Sequence, residues 1–141
     1  MNLLLDTCVL SETVRRDPAK SVLSWLDSQD ELGLFISVLT LGEIHKGVAK
    51  IADRARKERL RAWIEESLVP RFGERILGID ARVAAAWGGI AGAAERSGTP
   101  VPVMDGLIAA TAQVHALGVA TRNGRHFEQL GIKVVDPWRT A

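Results

Sequence analysis

Three leucines running straight into an aspartate, Leu3-Leu4-Leu5-Asp6, constrain this chain more than any other stretch. A short unbroken apolar run followed by polar residues and a helical pattern reads as a strand buried on both faces of a parallel sheet. Side chains at the carboxyl ends of such strands line the crevice where open α/β sheets place their ligands, and Asp6 falls there. The same residue suits a cap for the helix that follows, so Asp6 alone does not separate the two readings.

The pattern then repeats. Helix-compatible residues run from Val9 to Arg16 and stop at Asp17-Pro18, and a second helix from Pro18 to Gln29 carries Val22, Trp25 and Leu26 at helical spacing. Gly33 to Ser37 reads as a second strand. Val38, Leu41, Ile44, Val48 and Ile51 mark a helix with one core-facing stripe, and Glu43 sits on its flank. Asp53 to Glu66 reads as a surface helix with solvated Arg and Lys, its end signalled by Pro70 and Gly73. Arg75 to Ile79 makes a third strand closed by Asp80, which reads as a helix cap. The helix from Ala81 to Ser97 contains Gly88, Gly89 and Gly92, a density that predicts close approach of another backbone. After the loop Gly98-Thr99-Pro100-Val101-Pro102 come a small-residue helix, Met104 to Leu117, and a fourth strand, Gly118 to Thr121. A polar loop, Arg122 to Arg125, then leads to a short helix near Phe127 to Leu130 and a fifth strand, Ile132 to Val135. Strands alternating with helices at these intervals require crossovers, which predicts an α/β fold in three α/β/α layers with a mostly parallel sheet of about five strands.

The 141 residues fit a single domain, and a formal net charge of +1 leaves any nucleic-acid contact to local clusters of Arg and Lys. The single cysteine, Cys8, excludes an internal disulfide and multi-cysteine zinc patterns; it reads as a small core residue. No secretory signal and no bilayer-length apolar run is present, so a cytoplasmic location is expected.

Three acids, Asp6, Glu43 and Asp105, fall at the carboxyl-terminal edge of such a sheet, each just past a strand or in the first turns of a helix. Convergent carboxylates repel unless a cation sits between them, and hard oxygen donors favour Mg²⁺, with Mn²⁺ as a substitute, over zinc. Each also has a plainer role: Asp105 as a first-turn acid favoured by the helix dipole, Glu43 as a solvated flank residue. Asp136, before Pro137-Trp138, reads as a turn residue. The spacing His-Glu-x-x-His is absent around Glu43 and His45.

These segments together resemble a known family. Leu3-Leu4-Leu5-Asp6-Thr7-Cys8-Val9-Leu10, Ser37-Val38-Leu39-Thr40-Leu41-Gly42-Glu43, Asp105-Gly106-Leu107-Ile108-Ala109-Ala110-Thr111-Ala112, and Ala120-Thr121-Arg122-Asn123 before Val135-Asp136-Pro137-Trp138 are similar, in this order, to the PIN-domain family. Within it they most resemble VapC-type toxins, including the FitB-like branch. The resemblance implies a PIN-like fold and a Mg²⁺- or Mn²⁺-dependent endoribonuclease. It further implies a toxin held by a VapB-like antitoxin and a homodimer or larger assembly. It places metal-binding acids at Asp6, Glu43 and Asp105, and small polar positions at Thr7, Ser37 and Thr121, where hydroxyls orient water or a carboxylate.

The family often has a fourth acid in the loop after Thr-Arg. Here those positions hold Asn123 and His126. Asn123 can hold a water but brings no charge, so one firm metal site is expected. The implied chemistry is in-line hydrolysis of an RNA phosphodiester, with the ion activating water and screening the phosphate oxygens. Arg122 and Arg125 are candidates for steering the RNA backbone, or else ordinary solvated loop cations. The helices Pro18 to Gln29 and Asp53 to Val69 offer apolar docking surface by analogy. A haloacid-dehalogenase-like phosphatase would need a second aspartate where Cys8 stands. A domain that binds RNA or a partner without cutting is the remaining alternative.

Overall fold

In the computed structural model, which describes residues 1–139, Leu3–Leu5 form strand β1 and all three leucines are buried. β1 is central. It pairs in parallel with β2 (Leu34–Ser37) on one side and β4 (Gly118–Ala120) on the other. β3 (Ile76–Leu77) and β5 (Val134–Val135) extend the sheet, also in parallel, giving the order β3-β2-β1-β4-β5. The expected three-layer α/β/α architecture with a five-stranded parallel sheet is what the chain forms.

The two-residue period of β1 divides the core. Leu3 and Leu5 enter one cluster with Val22, Ile44, Ile64 and Phe72, whereas Leu4 enters a second with Ile108, Ala109, Val119 and Phe127. Each fully buried leucine contributes roughly 1.5–3 kcal/mol relative to exposure, so the opening run anchors both layers.

The helices are α1 (Thr7–Glu12), α2 (Lys20–Ser28), α3 (Val38–Ala49), α4 (Arg54–Trp63), α5 (Val69–Phe72), α6 (Ala81–Arg96), α7 (Val103–Val114) and α8 (Arg125–Gln129). None is long and apolar enough to cross a membrane. Val22, Trp25 and Leu26 of α2 are buried in the first cluster, while Leu60 and Trp63 of α4 stay half-buried against it.

Several boundaries differ from the sequence expectation, each for a local reason. α1 stops at Glu12 instead of Arg16, because the buried Glu12 carboxylate accepts the Ala19 N–H at 2.7 Å and the Arg15 guanidinium at 3.2 Å, folding the chain back. The α4 rod does not break at Pro70. It passes through a π-helical turn, Ile64–Leu68, and places Pro70 in the first turn of α5, where a missing N–H costs little; it ends at Gly73, with φ of 49°. α8 starts at Arg125, so Arg125 and His126 lie on a helix instead of in the loop.

The expected close approach at Gly88, Gly89 and Gly92 is not found: a Cβ at any of them would meet nothing within 4 Å. The tight contact lies on the opposing helix, where a Cβ on Gly106 of α7 would come 3.1 Å from the Trp87 ring of α6. Asp80 caps α6 as expected, accepting the Val83 N–H at 3.0 Å.

Strand order reverses at β1: the chain adds β2 and β3 on one side, then crosses to β4 and β5 on the other. At such a reversal the flanking connections diverge, and a crevice opens beyond the carboxyl ends of the two inner strands.

Candidate active site

That crevice is a cavity of about 1010 Å³, and Asp6, Glu43 and Asp105 all line it. Asp6 follows β1 and serves both readings at once. Its Oδ1 accepts the Thr7 N–H at 2.9 Å as the α1 cap, and its Oδ2 accepts the Thr121 hydroxyl at 2.7 Å. Thr121, fully buried just past β4, in turn accepts the Asn123 N–H at 3.1 Å, which ties the following loop to the same carboxylate.

Glu43 lies on the exposed face of α3, where its Oε1 accepts the Thr7 hydroxyl at 2.9 Å. Asp105, in the first turn of α7, has its Oδ2 2.8 Å from His126 Nδ1 on α8. Three carboxylates from distant parts of the sequence are therefore each held by a different neighbour around one opening. None of the three forms an ion pair with Lys or Arg among the described residues.

Thr7, Thr121 and Asn123 line the cavity with the acids. Ser37 does not. It is fully buried, and its hydroxyl caps α3 by accepting the Leu39 N–H at 3.0 Å, so its side chain is spent on the helix start.

Arg122 and Arg125 stand on the rim; the Arg122 guanidinium lies 4.8 Å from the Trp138 ring centroid, a cation–π contact that fixes its direction. Between them Gly124 has no room for a side chain, because a Cβ there would run into Val134 of β5. That close approach pins the Asn123–Arg125 segment to the sheet.

Cys8 also reaches the cavity floor, with its Sγ 3.9 Å from Asp6 Oδ2 and 3.7 Å from Thr121 Oγ1. Burial pushes its thiol up; a hydrogen bond from the Arg122 backbone opposes this and the Asp6 charge adds to it. A thiol so placed stays protonated at neutral pH and is a poor nucleophile.

Several residues of the lining, Glu128 of α8 among them, carry no site signal in the sequence. His126 was noted only as a missing acid, yet it is the hydrogen-bond partner of Asp105. Asp136 is the turn residue expected, accepting the Trp138 N–H at 2.9 Å, but it also lines the cavity, as does Arg139, 3.6 Å from it. The Asp136–Arg139 pair is local, but only the tail's return to the sheet brings it to the cavity.

The donor set suits a hard divalent cation: carboxylate oxygens, unneutralised by Arg or Lys, facing one opening. The carboxylates are not drawn into a dry cage. Among the described residues no three His, Cys, Asp or Glu side chains are grouped closely enough to enclose an ion. A Mg²⁺ ion, which dehydrates reluctantly and is usually held by one or two carboxylates together with waters and substrate phosphate, would not need all three acids as direct ligands.

A family model, PIN domain, matches residues 3–133. The chain is 39% identical over 136 residues to Toxin FitB of Neisseria gonorrhoeae, covering 96% of this chain and 98% of that protein. It is 32% identical over 139 residues to VapC ribonuclease Y4jK of Sinorhizobium fredii, covering 99% of each. Among solved structures, a crystal structure of FitAcB from Neisseria gonorrhoeae superposes with a TM-score of 0.93 at 38% identity, covering 98% of this chain and 99% of that one.

Proposed function

The chain belongs to the PIN domain family, and from that premise we propose that it is the toxin of a toxin–antitoxin pair, a Mg²⁺-dependent endoribonuclease. The observation that carries the reading is the convergence of Asp6, Glu43 and Asp105 on one cavity, none of them ion-paired to Lys or Arg among the described residues. Similarity to proteins named toxin and ribonuclease supports it.

In this reading Asp6, Glu43 and Asp105 would hold the ion, directly or through its waters, and Mn²⁺ could substitute. The ion would supply charge neutralisation at the phosphate and acidify a water for in-line attack. The protein's part is positioning. Thr121 and the Thr7 N–H fix both oxygens of Asp6, Thr7 Oγ1 fixes one oxygen of Glu43, and His126 fixes one oxygen of Asp105. Each carboxylate is thereby held before substrate arrives, which removes reorganisation from the reaction. Arg122 and Arg125 line the same cleft, and their charge would draw in the phosphate backbone.

The partners we propose are a VapB-like antitoxin, consistent with the superposition on FitAcB, and a second copy of the chain. A second reading, a domain that binds RNA without cutting, draws support from the neutral Asn123 on the rim and from the spacing of the acids.

One assay separates the two. Purified protein is incubated with end-labelled RNA in Mg²⁺, in EDTA, and as Asp6→Asn, with circular dichroism confirming the fold. New RNA ends that appear in Mg²⁺ and vanish in both other conditions are expected. Association without new ends selects the binder, and equal cleavage in EDTA overturns the metal-dependent scheme.

A further inference from the structure

Charge is distributed very unevenly along this nearly neutral chain. Residues 46–61 hold seven Lys and Arg against Asp53 and Glu58, a net +5, so the remaining residues sum to −4. Lys46, Lys50, Arg54, Arg56, Arg59 and Arg61 are all exposed. One ion pair occurs within this stretch among the described residues, Arg61 to Glu58 at 3.5 Å. Asp53 is spent on capping α4, its Oδ1 accepting the Ala55 N–H at 3.1 Å.

The placement opposes helix stability. Arg54 and Arg56 stand in the first turn of α4, which holds no acid, so their charge adds to the positive end of the helix dipole. Cations at that end disfavour the helix, and the result is a concentrated positive potential.

The stretch is also continuous with the cleft. Thr40, Ile44 and Val48 form the buried stripe of α3, and Glu43, Lys46 and Lys50 lie exposed on the other side at positions i, i+3 and i+7. At about 1.5 Å per residue the step from Glu43 to Lys50 is about 10 Å, roughly three nucleotides at a stacked rise of about 3.4 Å.

We propose that Lys46, Lys50, Arg54, Arg56 and Arg59 form a phosphate track that carries the RNA strand out of the cleft past Glu43 and onto the start of α4. This rests on the ribonuclease reading and deepens it. The substrate is then an RNA long enough to span cleft and track, held along α3 and α4 by its backbone, without base readout.

The test is fluorescence anisotropy with a labelled single-stranded RNA of about 20 nucleotides, in EDTA so that it stays intact, across a salt series. The triple variant Lys50→Ala, Arg54→Ala, Arg59→Ala is compared with wild type. A control triple, Lys20→Ala, Arg82→Ala, Arg96→Ala, removes the same charge from exposed positions elsewhere. At about 0.7 per cation for a single strand, the salt slope should fall by about two in the track variant, with about tenfold weaker binding near 0.1 M salt. The control should stay within about twofold. Cleavage in Mg²⁺ of an RNA too short to reach the track should proceed at the wild-type rate.

Equal affinity and slope in both triples, with wild type binding and cutting RNA, would overturn the track alone. Wild type that neither binds nor cuts RNA overturns the track and the nuclease reading together. Loss of binding to a poly-glutamate probe with RNA affinity intact would assign this face to an acidic protein and likewise overturn the proposal.

Discussion

Two carboxylate-bearing regions of this molecule are partnered in opposite ways. At the β3 edge, Glu31 is gripped by Arg71 through two hydrogen bonds of 2.6 and 2.8 Å, and Arg75 stands beside it. Arg75 also donates to the carbonyl oxygens of Glu31, Leu34 and Arg71, and both guanidinium groups lie against the Phe72 ring. These Arg71 and Arg75 bonds hold the Glu31 carboxyl below its usual range, and Glu31 raises Arg71 in return. In the cleft, Asp6, Glu43 and Asp105 receive hydroxyls, a backbone N–H and an imidazole. The first region is a closed electrostatic account that stabilises the fold. The second orients its carboxylates with no Lys or Arg ion-paired to them among the described residues, an arrangement suited to a cation.

The sharpest way to break the contrast is to neutralise one carboxylate in the cleft. Asp6→Asn should lower RNA cleavage by at least about a hundredfold, since even partners one step removed from a metal are worth about 10–100-fold. Thermal melting should show little loss, because the amide oxygen can still accept the Thr7 N–H while the amide NH₂ donates to the Thr121 hydroxyl oxygen. A large drop in melting temperature would place Asp6 with the structural acids.

At the other edge the expectation inverts. Arg75→Ala strips a guanidinium from three carbonyl oxygens and should destabilise the protein by about 2–3 kcal/mol in urea unfolding, with cleavage per folded molecule unchanged. A change in kcat without a change in stability would contradict the division.

Thr121→Val tests orientation without touching charge. Loss of the 2.7 Å hydrogen bond to Asp6 should weaken Mn²⁺ binding measured by calorimetry about tenfold, and wild-type affinity would sink the positioning role.

The smallest expected effect concerns Glu12. The Ala19 N–H, with help from Arg15, holds its carboxyl below the usual 4.5. A carboxylate lowered by folding contributes stability in full above its unfolded value and loses it as pH falls through the folded value. Glu12→Gln should therefore flatten the decline of melting temperature below about pH 4.5 and leave cleavage at neutral pH unaltered.

Much of this was legible in order along the chain. The leucine run, the alternation of strands and helices and the acids after β1, on α3 and in the first turn of α7 announced a parallel sheet and the edge where its cavity opens. The errors came where tertiary contacts outweigh local pattern. Residues 13–16 look helical, but Glu12 is needed at Ala19. Gly88, Gly89 and Gly92 suggested a close packing that Trp87 instead makes with Gly106. Ser37, a small polar position by family resemblance, has its hydroxyl on the start of α3, a contact that only the helix geometry reveals.

By itself the sequence determined the period of each element and the kind of residue at each strand end, because backbone geometry and burial read only neighbours a few positions apart. Which side chains meet was decided by the sheet. The reversal of strand order at β1 sets Thr121 against Asp6 across 115 residues, and the packing of α8 beside α7 sets His126 against Asp105. Hydrogen bonds act over about 3 Å, so partners so far apart in the chain exist only once the tertiary fold has closed that distance.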